Sequence, residues 1–156
     1  MPPPEYIPGA PTRTSFLEHD GSEQRIRIFG HALTTKCRPL NGARLDFWHT
    51  DSGGQYDTTA YRFRGRQFID KDGLFQLDTV MPGPYNGPRH VHFLLAARLD
   101  EQPQPLMLSG VVYFPTADEY AQATAQQKLP EFINPDSLRL VNGVVTAHCD
   151  IVLETA

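Results

Sequence analysis

A chain of 156 residues, 40% hydrophobic and 21% charged, has the balance of one folded domain, with or without a short arm, and not of a disordered segment. Eighteen acidic residues against fourteen basic ones give a net charge of −4, and no apolar run reaches the roughly 18 residues of a membrane span. Neither nucleic acid nor a membrane is therefore an expected partner. Two cysteines, Cys37 and Cys149, are too few for a disulfide scaffold, and the N-terminus lacks a basic-then-apolar leader, so free thiols and a cytoplasmic location are expected.

In chain order, residues 1–20 are rich in proline and turn formers (Pro2, Pro3, Pro4, Pro8, Gly9, Pro11). They read as an extended arm lying on its own domain or on a neighbouring copy, with residues 21–156 as the domain proper. Apolar and polar residues alternate from Gln24 to Phe29, as in a half-buried strand. After the turn at Pro39 to Gly42, Ala43 to Trp48 alternates again, and Trp48 is expected in the core. Arg62, Arg64 and Arg66 would share one strand face and pair with the acidic excess. Asp70-Lys71-Asp72-Gly73 is a turn before a strand from Leu74 to Val80, and Met81-Pro82-Gly83-Pro84 breaks the chain. Further strands are expected over Val91–Ala97 and Leu106–Phe114. Thr116-Ala117-Asp118-Glu119 is a capping box, followed by helix formers from Ala121 to Lys128 and a stop at Pro130. Asn142-Gly143 joins Leu138–Val141 to Val144–Leu153 as a hairpin. Short strands with a single helix and 26 glycines and prolines predict an all-β protein: a β-sandwich with one short helix and an extended N-terminal arm.

His90-Val91-His92 opens one of these strands. A period of two puts both imidazoles on one face, about 7 Å apart along the strand, where they can converge on one metal ion. The same spacing occurs in proteins without a metal, and in cupins, but Ala96 and Ala97 stand where a cupin has its glutamate. The remaining histidines, His19, His31, His49 and His148, read as surface or structural.

The residues around that pair resemble the intradiol ring-cleavage dioxygenases. The similarity starts with Gly42-Ala43-Arg44-Leu45-Asp46-Phe47-Trp48 and continues with Asp51, Gly54 and Tyr56. Arg64-Gly65, Asp70, Gly73, Phe75, Leu77, Thr79, Val80, Pro82, Gly83 and Tyr85 follow in the family's order and spacing, then Pro88-Arg89-His90-Val91-His92-Phe93 and Leu108 to Phe114. The resemblance runs from about Gly21 to Leu153.

That resemblance implies a ferric ion, Fe(III), held by Tyr56, Tyr85, His90 and His92. It further implies a catechol-type substrate, O2 as co-substrate and an assembly of several copies. Two phenolates offset the charge of the ion and neutral imidazoles complete its shell. The family's reaction breaks the carbon–carbon bond between the two hydroxyls and yields a cis,cis-muconate-type diacid, with Tyr85 leaving the metal as substrate binds. The family's arginine three residues before the first histidine is replaced here by Gly87. Arg89 is the candidate to supply its charge, although a neighbour along a strand points to the opposite face. The connection from Tyr85 to His90 is also shorter than in well-known members, which implies a more open pocket. Two alternatives remain: the same ferric site catalysing a different reaction on a larger phenolic, or a non-catalytic sandwich subunit.

Overall fold

The computed structural model describes residues 5–17, 23–99, 103–125 and 133–154. Among the described residues, nine strands form two sheets: β1 (Arg25–Thr34), β2 (Arg44–His49), β3 (Arg64–Phe68), β4 (Leu74–Val80), β5 (Arg89–Ala97), β6 (Leu106–Phe114), β7 (Arg139–Val141), β8 (Val144–His148) and β9 (Ile151–Leu153). The first sheet has the order β4-β1-β8-β7, with β9 also paired to β1, and the second has the order β3-β2-β5-β6. The core lies between them, where Ile26 and Ile28 of β1 and Phe75 and Leu77 of β4 meet Leu45, Phe47, Val91, Phe93 and Leu95. The expected sandwich is therefore present.

The helix α1 (Ala117–Ala125) starts at the expected capping box. Glu119 Oε1 accepts the Thr116 N–H at 2.8 Å, and Thr116 Oγ1 accepts the Glu119 N–H at 3.2 Å. Its expected continuation to Lys128 and the stop at Pro130 fall outside the described residues. At the hairpin, Asn142 and Gly143 both have positive φ, as its tight turn requires. The expected turn before β4 forms on Asp70 Oδ1, which accepts the N–H groups of Asp72 and Leu74. No helix among the described residues is long and apolar enough to cross a membrane.

Three local expectations need correction. The last strand, expected unbroken from Val144 to Leu153, is split into β8 and β9. There Asp150 Oδ1 accepts the His31 N–H at 2.9 Å, a bond that a strand carbonyl would otherwise take. Trp48 is buried but lies outside the core, on the outer face of the second sheet, since the alternation of β2 gives the inner face to Leu45 and Phe47. Of the three arginines, Arg66 does meet a carboxylate, that of buried Asp46 at 3.4 Å. Arg64 is fully buried and donates to backbone carbonyls instead.

The described part of the arm is a strap along one open side of the sandwich. Thr12 bridges to Arg66 on β3 of one sheet, and Ser15 bridges to Asp78 on β4 of the other. Phe16 reaches the core because Gly65 leaves space for it: a Cβ there would stand 2.5 Å from the Phe16 ring. The boundary expected near residue 20 lies outside the described residues. Both edge strands thus have their free backbone groups occupied on this side.

Candidate metal centre

The site stands on the outer face of the second sheet. His90 and His92 project from the start of β5 to that face, and each has an aromatic partner across the ladder. His92 pairs in register with Trp48 of β2, and the two rings stack at 5.2 Å with 6° between planes. His90 pairs with Tyr113 of β6 at 5.3 Å. One more step across the sheet, Trp48 pairs with Arg64 of β3, so Arg64, Trp48 and His92 form one lateral row. Tyr6 of the arm covers Trp48 at 5.2 Å. Arm and loops thereby bury a face that would otherwise meet water.

Two loops carry the tyrosines, and the glycines near them have a physical task. Asp51 Oδ1 accepts the N–H groups of Gly53 and Gln55, which curls the chain after β2 toward Tyr56. The Gly83 N–H donates to the Asp51 carbonyl at 2.8 Å, locking the loop after β4 to this curl. The backbones approach so closely that a Cβ on Gly83 would lie 2.5 Å from the Ser52 carbonyl oxygen and from the Gly54 nitrogen. Gly54, with φ of +84°, is itself pressed against the Pro84 carbonyl. This clamp brings the Tyr56 and Tyr85 rings edge to face at 5.1 Å.

The Tyr56 hydroxyl lies 2.9 Å from His92 Nε2 and 3.4 Å from His90 Nε2. His90 Nδ1 is 2.9 Å from the Pro88 carbonyl, which can only accept, so Nδ1 carries the proton and the Nε2 lone pair faces Tyr56. Burial, then the neighbouring His90 and Arg64, lowers the His92 pKa to about 4, so this imidazole is neutral at pH 7. Burial pushes the Tyr56 phenol well above its ordinary range; Glu5 and Tyr85 push the same way, and the Arg64 guanidinium opposes them. Arg64 is held over the Tyr56 ring, 5.9 Å from its centroid, by the carbonyls of Asp57 and Glu5.

These donors fit a metal. Nitrogen and oxygen ligands about 2 Å from one ion stand about 3 Å from one another, the spacing seen here. A buried phenol that holds its proton this firmly yields it only to a hard, highly charged cation. Of the sequence candidates, Tyr56, His90 and His92 come together, and the Tyr85 ring packs against that of Tyr56. Arg89 heads β5 on the opposite face of the strand from the two histidines, half-buried. Arg64 and Trp48 are the neighbours that the sequence reading missed. The pairing of β3, β2 and β5 would have revealed them, but register is a property of three strands and not of one motif.

A family model described as Dioxygenase matches residues 1–153. A catechol 1,2-dioxygenase of Pseudomonas sp. (strain EST1001) is 25% identical over 82% of this chain and 51% of its own length. The chain belongs to the intradiol ring-cleavage dioxygenase family. It spans about half the length of the curated family members it matches. It is also 34% identical to the dioxygenase domain of a novel dioxygenase carbohydrate-binding protein fusion from the cellulolytic bacterium Streptomyces sp. SirexAA-E. That likeness covers 100% of this chain and 96% of the other, with a TM-score of 0.81. The 3-chlorocatechol 1,2-dioxygenase of Rhodococcus opacus 1CP, 22% identical, shares the fold at a TM-score of 0.79, over 98% of this chain and 70% of that one.

Proposed function

We propose that this protein is a ferric dioxygenase that opens the ring of a catechol-type aromatic between its two hydroxyls, placing both atoms of O2 in a cis,cis-muconate-type diacid. The observation that carries the reading is the convergence of the Tyr56 oxygen on both His90 Nε2 and His92 Nε2, with Tyr85 set against Tyr56. In this reading Tyr56, Tyr85, His90 and His92 hold Fe(III), the protein works as an assembly of copies, and its setting is the cytoplasm. When bound, the ferric ion supplies the Lewis acidity that binds a catechol as its dianion and the one-electron chemistry that lets it meet O2.

The chain's own residues then have separable tasks. Both imidazoles are oriented, His90 by the Pro88 carbonyl and His92 by stacking on Trp48, and burial keeps His92 neutral. Tyr56, shielded and faced by Arg64, remains a ligand throughout. Tyr85, the more exposed phenol, takes a proton from a catechol hydroxyl at its own oxygen and swings outward. The second reading, a bulkier phenolic substrate, is favoured by the rim. Pro84 to Gly87 are exposed, and a Cβ on Gly87, where the family has its arginine, would meet nothing within 4 Å.

The test is the visible spectrum of iron-loaded protein, first under nitrogen with catechol and then with O2. A tyrosinate-to-iron band that moves to longer wavelength with catechol, followed by a diacid product on admitting O2, is the expected result. Protein that stays colourless with ferric iron would overturn the reading. Colour and a catechol shift without product would leave a binding module.

A further inference from the structure

Away from the Tyr–His centre, the fold gathers a second set of metal-ligating groups: His31, His148 and Asp150, whose donor atoms all lie within 4.8 Å of one another. Nothing in the first motif requires them. Their meeting follows from register. β1 runs parallel to β8 and then to β9 with one offset, Phe29 facing His148 and Ala32 facing Ile151, so His31 faces Asp150. Alternation turns His31, His148 and Asp150 to the solvent side and packs Cys149, between them, against the core. The strands close up here because residue 30 is glycine: a Cβ would stand 1.9 Å from the Cys149 carbonyl oxygen.

Asp150 is already oriented. Its Oδ1 accepts the His31 N–H at 2.9 Å and lies 3.0 Å from His148 Nε2 and 3.8 Å from His31 Nδ1. Donors sharing one ion at about 2.0–2.2 Å stand roughly 3–3.5 Å apart; the His148–Asp150 pair already has that spacing, and side-chain movement of about an ångström brings the exposed His31 ring into it. The Phe29 ring, 5.3 Å from that of His148, supports the imidazole from the side.

We propose that His31, His148 and Asp150 form a second metal site on the outer face of the first sheet, taking a borderline divalent cation such as Zn2+ or Co2+, with solvent completing the shell. Two imidazoles and one carboxylate suit these ions; the set has neither the phenols nor the charge to favour Fe(III). The site is remote from the Tyr–His centre. Along the β1–β4 pair, His31 sits opposite Leu74, whereas Arg25 sits opposite Val80 at the end that leads to Tyr85, about 20 Å away. A bound cation would join β1 to the β8–β9 junction, where the strand is interrupted, and so would stabilise the folded state.

The experiment is a calorimetric titration of the protein with ZnCl2, repeated with CoCl2 to read the ligand field, in the intact chain and in the His90→Ala/His92→Ala variant. One equivalent of Zn2+ bound in both proteins, with a rise in Tm that EDTA reverses, is the expected result. His31→Gln and His148→Gln should each weaken binding by about tenfold or more. Asp150→Asn should do the same, because asparagine keeps an oxygen for the His31 N–H and removes the charge. A circular-dichroism spectrum matching the parent shows that each variant is folded. Absence of binding at about 1 mM Zn2+, or undiminished binding in a folded His31→Gln/His148→Gln protein, would overturn the proposal. Zinc lost only with His90 and His92 would assign the metal to the other centre. Failure of the dioxygenase reading would leave this titration unaffected.

Discussion

The molecule carries two clusters with similar inventories and opposite surroundings. Each has two histidines and an oxygen donor. At one end Tyr56, His90 and His92 are held by a backbone clamp, roofed by the arm and loops, and backed by buried Arg64. At the other, His31, His148 and Asp150 stand in water, with side chains 44%, 57% and 41% exposed. The difference teaches that burial, more than ligand count, decides what such a cluster is for. Removing water from phenol and imidazole makes each of their charges costly, so a strongly charged ion is needed to balance them. The exposed set has no such demand and suits a softer, exchangeable cation.

That contrast can be broken or sharpened by variants. The largest effect is expected at the buried cluster: Tyr56→Phe or His92→Ala should abolish tight iron retention. The loss, read by iron content after desalting, should exceed the roughly 10–100-fold typical of groups outside the ligand set. Tyr85→Phe should retain some iron and lose most turnover. Tyr56→Phe protein with unchanged colour would refute the ligand assignment.

Next comes the clamp. Gly83→Ala forces a Cβ to within 2.5 Å of two backbone atoms, neither at the end of a flexible side chain, and should cost more than about 2 kcal/mol in chemical denaturation. A variant as stable as its parent would show that the two tyrosine loops are not locked together.

The pH profile supplies a comparable effect through His49, a buried histidine that is not among the candidate ligands. Its Nδ1 donates to the Thr50 carbonyl at 2.6 Å, and its Nε2 accepts from Thr79 Oγ1 at 2.7 Å. Burial, outweighing the Thr50 carbonyl, lowers its pKa to about 4. The unfolded chain takes up this proton near pH 6.5 and the folded chain only near pH 4. Stability from this group is therefore complete above about pH 6.5 and falls as pH drops through the window. The loss reaches up to about 3 kcal/mol and levels off below pH 4. His49→Gln should make the profile between pH 7 and 4.5 less steep in metal-free protein, the remaining slope coming from His92, whose pKa burial lowers likewise; an unchanged slope would remove His49 as a source.

The smallest effect is expected at the exposed cluster without metal. His31→Gln and His148→Gln should change stability by no more than about 0.5 kcal/mol, as surface substitutions usually do. A larger loss in metal-free protein would mean that the cluster's ion pairs matter to the fold by themselves.

Much of this was legible in one dimension. The alternation in β1, β2, β4 and β5, the Thr116–Glu119 box and the Asn142-Gly143 turn all depend on contacts within a few residues, and all formed as expected. So did the opposite facing of His90 and Val91. Trp48 was misplaced because alternation says that a residue lies on one of two faces without saying which face the loops will cover. Arg64 was taken for a surface partner of acidic residues because charge on a strand suggests solvent. Its burial depends on carbonyls from Glu5 and Asp57, the first of them 59 residues away.

By itself, then, the sequence determined the strand periods, the turns, the pairing of two histidines on one face and the family to which their spacing belongs. All of these follow from short-range geometry and from side-chain types at set intervals. The resemblance also implied that Tyr56 joins those histidines, whereas the tertiary structure alone decided the row that runs from Arg64 through Trp48 to His92 and the meeting of His31 with His148 and Asp150. Those outcomes depend on strand order, register and which backbones approach closely enough to require glycine, and each joins parts of the chain that carry no mark of one another.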